Sequence, residues 1–405
     1  MRRPNRRPNY LEAADMTNWE ETANYVLYQV GSLVKARDGI TGKIVSTGAT
    51  IDIPFNFVAP LLLNSGTIFI KPKPSGIYSV AADMVIPNAT NGGIRVIGGG
   101  YKWYGNGVVL KGTATCTTAI LHDLDNAISM NTFIGLGFHG DQATNTLNLD
   151  GIRSVGQDTK FIDCSMYDCK GGIRCKAHSH IERCYLEKVS NEGIYLDGDN
   201  AFITNNIFWD NGTDIMMIGT SDLTQIAHNR TANSDEFIRT YASAASVDDV
   251  RVSSNIAVDL NDQFIHIDLG DIDGWTIDHN LVDGDSNTTY FFNIDGGSSI
   301  TNSKCHDNIV QDLTSTFLNG TTTGLDVYRN IGYVSENWGT SGNVADGGTI
   351  AHGITGTPTY ADAKATVTGD IVTISALDAA NITVAIKDEG GGAGTAQPLY
   401  WMARE

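Results

Sequence analysis

The sequence is poor in positive charge, in proline and in long apolar runs. Its 27 Lys and Arg stand against 46 Asp and Glu, a formal charge of −19 over 405 residues. A surface so acidic argues against nucleic acid and against anionic membranes as partners. No run of 18 apolar residues occurs, so neither a transmembrane helix nor membrane insertion is expected. The opening MRRPNRRPNY lacks the apolar stretch of a secretory signal,. The six cysteines form no CxxC knuckle, and no metal site is assigned to them. Leu-rich repeats and helical repeats are excluded as well, because neither a Leu consensus nor a 3.6-residue period is present.

What is present is a repeat. Asn206, in NIFW, recurs as Cys164, Cys184, Asn229, Asn255, Asn280, Asn308 and Asn330, each followed by a short and mostly apolar step. Successive intervals are 20, 22, 23, 26, 25, 28 and 22 residues. A second ladder follows about nine residues behind, through Ile173, Ile194, Ile215, Phe237, Phe264, Phe291 and Phe317. A period in the low twenties, with short β-type segments between Asn, Asp and Gly turns, predicts an all-β right-handed parallel β-helix with one coil per repeat. Equivalent residues of neighbouring coils then lie about 4.8 Å apart. The Asn ladder is accordingly assigned to the turns as a structural element. Cys164 and Cys184 share its position, which predicts thiols buried one coil apart, with Cα atoms within reach of a disulfide.

Four segments are expected. Residues 1–15 form an arm in which Arg2, Arg3, Arg6 and Arg7 crowd together before the first carboxylate, Glu12; this composition suits docking to a larger acidic partner. Residues 16–64 read as a β-meander, followed by an apolar stretch that plugs the open end of the solenoid, with any helix there kept short by Pro54 and Pro60,. Residues 65–335 carry the coils. Residues 336–405 alternate on a shorter spacing, as in a small C-terminal β-sandwich module.

The stretches GTIFIKP, MVIP, IRVIGGG and VVLKGT resemble the opening coils of the pectate-lyase-like superfamily of β-helix proteins. The arrangement of arm, capped β-helix and C-terminal module, the last with GGTIAHGITGTPTYADAKAT and YWMARE, is similar to tail spikes and fibres of viruses of bacteria or archaea. This resemblance implies a virion-associated spike on the outer face of a particle, held to other virion proteins by the arm and binding a host polysaccharide or glycoprotein. Outward aromatic residues such as Tyr195, Trp209 and Tyr290 are the expected glycan contacts. The superfamily equally implies a polysaccharide lyase or glycoside hydrolase as the alternative.

No complete catalytic motif of that superfamily is present; GFHGD around His139 is the nearest fragment of a galacturonase set. Asp197 and Asp199, with Arg174 one coil earlier, imitate the Ca²⁺ carboxylates and the basic residue of a pectate lyase. Ca²⁺ is thus the one cofactor the resemblance implies. Such a site would remove a proton α to a uronate carboxyl, whereas two carboxylates on one face would serve hydrolysis. The DGDSN loop at Asp283 begins like a calcium loop but reaches Ile294 where an EF-hand needs Glu,. Finally, TYASAAS, GDSNTTY and LTSTFLNGTTTG are nearly free of Lys and Glu. Such neutral faces suit side-by-side packing of a charged shaft, and a homotrimer is expected.

Overall fold

The computed structural model describes residues 20–62, 65–73, 76–87, 93–98, 107–124, 130–143, 149–320, 324–332, 336–354, 357–366 and 369–404. The arm with Arg2, Arg3, Arg6 and Arg7 lies outside them. The chain winds into a parallel β-helix of three long sheets, called here the first, second and third, with 14, 10 and 11 strands among the described residues. One coil runs from His180–Glu182 in the first sheet through Tyr185–Glu187 in the second to Glu192–Asp197 in the third.

Strands this short need sharp corners, and the corners are made by left-handed residues. Asp163, Arg183, Asn205, His228, Ser254, His279, Asp307 and Arg329, each just before a member of the Asn ladder, have φ between 53° and 59°. Left-handed backbone is costly for most side chains and least so for Asn, Asp and His. What holds these corners is the next residue. Asn255 Oδ1 accepts from both the backbone N and Nδ2 of Asn229 at 2.9 and 3.1 Å, and its Nδ2 donates to Ile226 O at 2.9 Å. The same pattern joins Asn206, Asn229, Asn255, Asn280, Asn308 and Asn330 into one continuous buried ladder. Cys164 and Cys184 do stand one coil apart, since Tyr185 N donates to Cys164 O at 2.9 Å. All six cysteines are buried free thiols.

The second ladder needs a correction. Ile173, Ile194 and Ile215 are in register, but Ile215 pairs with Ile238 and not with Phe237. Both Phe237 and Ile238 are fully buried, because the chain enters the third sheet off the simple in–out alternation; a pattern of buried residues therefore does not reveal which of the two is in register. Phe237, Phe264, Phe291 and Phe317 form their own stack, with ring centroids 5.1, 5.1 and 4.5 Å apart. One coil earlier the same position holds Asp214, and before it Gly193 and Gly172. A Cβ on Gly172 would lie 2.1 Å from Gly193 O, so the early coils pack too closely there for any side chain.

At the N-terminal end, Tyr25–Val30, Leu33–Asp38 and Ile44–Gly48 form an antiparallel meander whose first strand also pairs in parallel with Gly66–Ile70. The helix Asp52–Val58 follows and buries Phe55 and Val58 in the same core as Ile68, Val80 and Met84. Pro54 sits in its first turn, where a missing N–H costs nothing. Beyond the coils, Glu336–Thr340, Tyr360–Ala365 and Leu399–Arg404 form one antiparallel sheet, and Thr349–Ala351, Ile371–Leu377 and Asn381–Lys387 form another. Between them lies a separate small core that includes Ile382, Val384 and Leu399.

Candidate functional site

On the outer face of the third sheet, equivalent side chains of successive coils line up along the shaft. One row reads Glu192, Thr213, Glu236, Gln263, Tyr290 and its neighbour reads Arg174, Tyr195, Met216, Arg239, His266, Asn293. Where these rows meet the preceding corner, a groove of about 400 Å³ opens, with Glu192, Thr213, Met216, Glu236, Arg239 and Asp262 among its walls.

Glu236 is the hub. Its side chain is only 7% exposed, and both oxygens are engaged. Oε1 accepts from Gln263 Nε2 at 2.9 Å and meets His266 Nδ1 at 2.7 Å, while Oε2 accepts from Thr213 Oγ1 at 3.0 Å. Arg239 approaches Oε2 at 3.7 Å and holds Asp268 with its other nitrogens. Beyond His266, Nε2 meets Asp295 Oδ2 at 3.1 Å. The imidazole is thus clasped between two carboxylates.

The electrostatics follow from these partners. Burial works against the charge of Glu236, but hydrogen bonds from His266 and Gln263 outweigh it and hold the carboxyl below its ordinary value,. Burial likewise depresses His266, and its bonds to Glu236 and Asp295 overcome that and raise it, favouring the imidazolium. Asp262 moves the other way from Glu236. Its burial raises it, and the nearby Glu236 charge adds to the rise. Beneath the groove, the fully buried Asp214 is pushed up to about 7 by burial, although Thr231, Asn211 and Ser234 all donate to it.

The residues expected from sequence are placed as follows. Arg174 lies one coil before Tyr195, its guanidinium 4.0 Å from the centre of that ring, and reaches Asp150 at 3.7 Å. Asp197 pairs in register with Lys176 and forms its ion pair with that residue, not with Arg174. Asp199 lies past the strand end, with its Oδ1 buried and without a partner among the described residues. Tyr195 and Tyr290 both belong to the third sheet, whereas Trp209 belongs to the second. The three aromatics therefore do not share a face.

Among the described residues, two groups offer histidine and carboxylate donors within 4.8 Å of one another: His266, Asp268 and Asp295, and His139, Asp141 and Asp168. In each a protein cation already stands against a carboxylate, Arg239 on Asp268 and Lys111 on Asp141 at 2.9 Å. Lys176 does the same at Asp197, where Ca²⁺ was expected.

Sequence reasoning missed Glu236, Asp262, Gln263 and His266, although a signal was present. DEFIR and DQFIH align one coil apart, with Asp first, Glu or Gln second and a cation-forming residue last. Those polar positions face outward beside the buried Phe-Ile pair.

A family model described as a right handed beta helix region matches residues 150–310. Among curated proteins none matches this chain. Solved structures with a similar fold include ORF18 of Geobacillus virus E2, at 13% identity and a TM-score of 0.46, covering 87% of this chain and 75% of that one. The tailspike protein of E. coli bacteriophage HK620 is similar at 10% identity and a TM-score of 0.45, covering 87% and 88%. A PL6 alginate lyase in complex with a trisaccharide is similar at 12% identity and a TM-score of 0.45, covering 63% and 57%. These likenesses concern the fold, which is the right-handed parallel β-helix.

Proposed function

We propose that this protein is a virion-associated spike or fibre that binds a host-surface glycan in the groove around Glu236. The observation that carries the reading is the groove itself. It crosses four coils, from Ser190 to Asp262, a span of about 14 Å at one strand spacing per coil,. Carboxylates, amides and hydroxyls alternate along it, with Met216 as an apolar patch. Such walls suit a polyhydroxylated chain, whose hydroxyls donate to carboxylates and whose C–H faces rest on apolar surface.

The same proposal includes docking to other virion proteins through the arm with Arg2, Arg3, Arg6 and Arg7, and assembly as a homotrimer. Support for side-by-side packing comes from the second sheet, where Ile256, Leu281, Ile309 and Ile331 are 40%, 36%, 42% and 64% exposed in successive coils. An outward aliphatic ladder on so acidic a chain is surface that association would cover. Sedimentation equilibrium of the full chain is expected to give three times the chain mass.

The glycan reading is tested by electrophoresis of the full-length protein through gels containing dextran, pullulan, laminarin, xylan or xanthan. We expect at least one to retard it, and Asn261→Trp, which fills the groove from an exposed wall, to abolish the retardation. Migration unaffected by every polysaccharide contradicts the reading.

A further inference from the structure

We propose that the corner closing the second sheet in the early coils binds a divalent transition-metal ion, such as Zn²⁺, through His139, Asp141 and Asp168. The inference does not depend on the glycan reading, since none of the three lines the groove. His139 ends the strand Leu136–His139, and Asp168 follows the paired strand Ser165–Tyr167 one coil later. Asp141 lies two residues beyond His139. One imidazole nitrogen and two carboxylate oxygens thus stand within 4.8 Å of one another.

Backbone packing produces this convergence. Gly140 sits between the two donors of its own coil, and a Cβ there would lie 2.4 Å from Asp168 O and 2.6 Å from Cys169 Cα. Any other residue would push the coils apart where the imidazole and the carboxylates meet. Asp141 and Asp168 both have left-handed backbone, with φ of 54° and 50°, which aspartate accepts more readily than most residues. Asp168 is aimed as well, because its Oδ2 accepts from the backbone N of Gln142 at 3.2 Å. The imidazole packs edge to face against Tyr167, with ring centres 5.2 Å apart.

Distances separate this cluster from the one at His266. There the two ring nitrogens lie 2.7 and 3.1 Å from carboxylates, and a ring that donates from both nitrogens offers no lone pair to a metal. His139 Nε2 lies 3.6 Å from Asp168 Oδ2, longer than an ordinary hydrogen bond. Two ligands each about 2.0 to 2.1 Å from a tetrahedral Zn²⁺ stand about 3.4 Å apart, so this pair is spaced to straddle such an ion. One imidazole nitrogen with two carboxylate oxygens suits Zn²⁺, Co²⁺ or Ni²⁺, whereas Ca²⁺ takes about six to eight oxygens. Lys111 Nζ, 2.9 Å from Asp141 Oδ2, is the competitor. Its flexible, part-exposed stem lets it move aside for a doubly charged ion. The ion would tie together two coils that lack the asparagine ladder, whose position they fill with Leu136 and Cys164.

The test uses untagged full-length protein, stripped with a chelator and titrated calorimetrically with ZnCl₂, and with CoCl₂ followed by visible absorption. We expect a single Zn²⁺ per chain, a thermal midpoint that rises with Zn²⁺, and visible bands on Co²⁺ addition. Asp168→Asn, which keeps the left-handed corner, is expected to weaken Zn²⁺ binding by about 100-fold without moving the midpoint of the stripped protein. Lys111→Gln is expected to tighten binding about 10-fold, and this arm decides the matter should Asp168→Asn fail to fold. Asp268→Asn, at the other histidine cluster, is expected to bind Zn²⁺ as wild type does. The site is overturned by absence of Zn²⁺ uptake in wild type, or by wild-type affinity in both Asp168→Asn and Lys111→Gln. Loss of binding in Asp268→Asn instead, or an equal affinity for Ca²⁺, overturns it too.

Discussion

The coils that carry Cys164 and Cys184 and those that carry Asn206 to Asn330 make the same corner with different chemistry. In the earlier coils each thiol only brushes backbone carbonyls, Cys164 Sγ at 3.5 Å from Phe133 O and Cys184 Sγ at 3.5 Å from Phe161 O. In the later coils each amide accepts twice from one neighbouring coil and donates to a carbonyl. The third sheet changes at the same place. Its position beside the Ile ladder is Gly172 and Gly193 in the early coils, a phenylalanine stack in the late ones, and Asp214 at the join. Early coils close by tight backbone approach, late coils by side-chain ladders, and the groove opens where one mode gives way to the other.

The largest effect that sharpens this comparison is expected in the amide ladder. Asn255→Ala removes four hydrogen bonds and strands buried donors and acceptors, which should cost about 3 to 5 kcal/mol in denaturant unfolding. A loss no greater than that of a cysteine variant would break the contrast.

Next comes the join. An acid raised to about 7 in the folded state keeps a proton that the unfolded chain releases near pH 4. Stability from Asp214 is therefore fully present below about pH 4 and declines as pH rises toward 7. Asp214→Asn should remove that decline and gain roughly 2 to 4 kcal/mol at pH 8 relative to wild type, read from thermal unfolding at pH 5 and pH 8. An equal effect of the substitution at both pH values contradicts it.

Cys184→Ala should cost about 1 kcal/mol, the value of a small buried apolar group, in the same denaturant experiment. The smallest change belongs to the corner surface. Arg183 holds Asp163 through Nε at 2.9 Å and a terminal nitrogen at 3.1 Å, but is 40% exposed. Arg183→Ala should cost no more than about 0.5 kcal/mol, and less in high salt.

Much of the architecture was legible in the sequence because a coil must repeat its corner residue, and Asn, with both a donor and an acceptor, marks that corner openly. The phenylalanine register was not legible, since Phe237 and Ile238 are both buried and composition cannot rank them. The site was harder still. Asp197 and Arg174 stood out as charges on adjacent coils, yet their partners, Lys176 and Tyr195, are set by register, which shifts with every change in coil length. Glu236, Asp262 and His266 were hidden inside the ladder segments DEFIR and DQFIH, where the buried Phe-Ile pair explained the repeat without reference to its polar neighbours.

The most direct test of the account is to locate a bound oligosaccharide in a crystal of the full-length protein, using a fragment of whichever polysaccharide retards it. The account predicts sugar density across the groove between Glu192 and Asp262, within hydrogen-bond distance of exposed wall residues such as Asn261. Density confined elsewhere, such as the exposed face around Trp338 and Tyr400 of the C-terminal module, would contradict it.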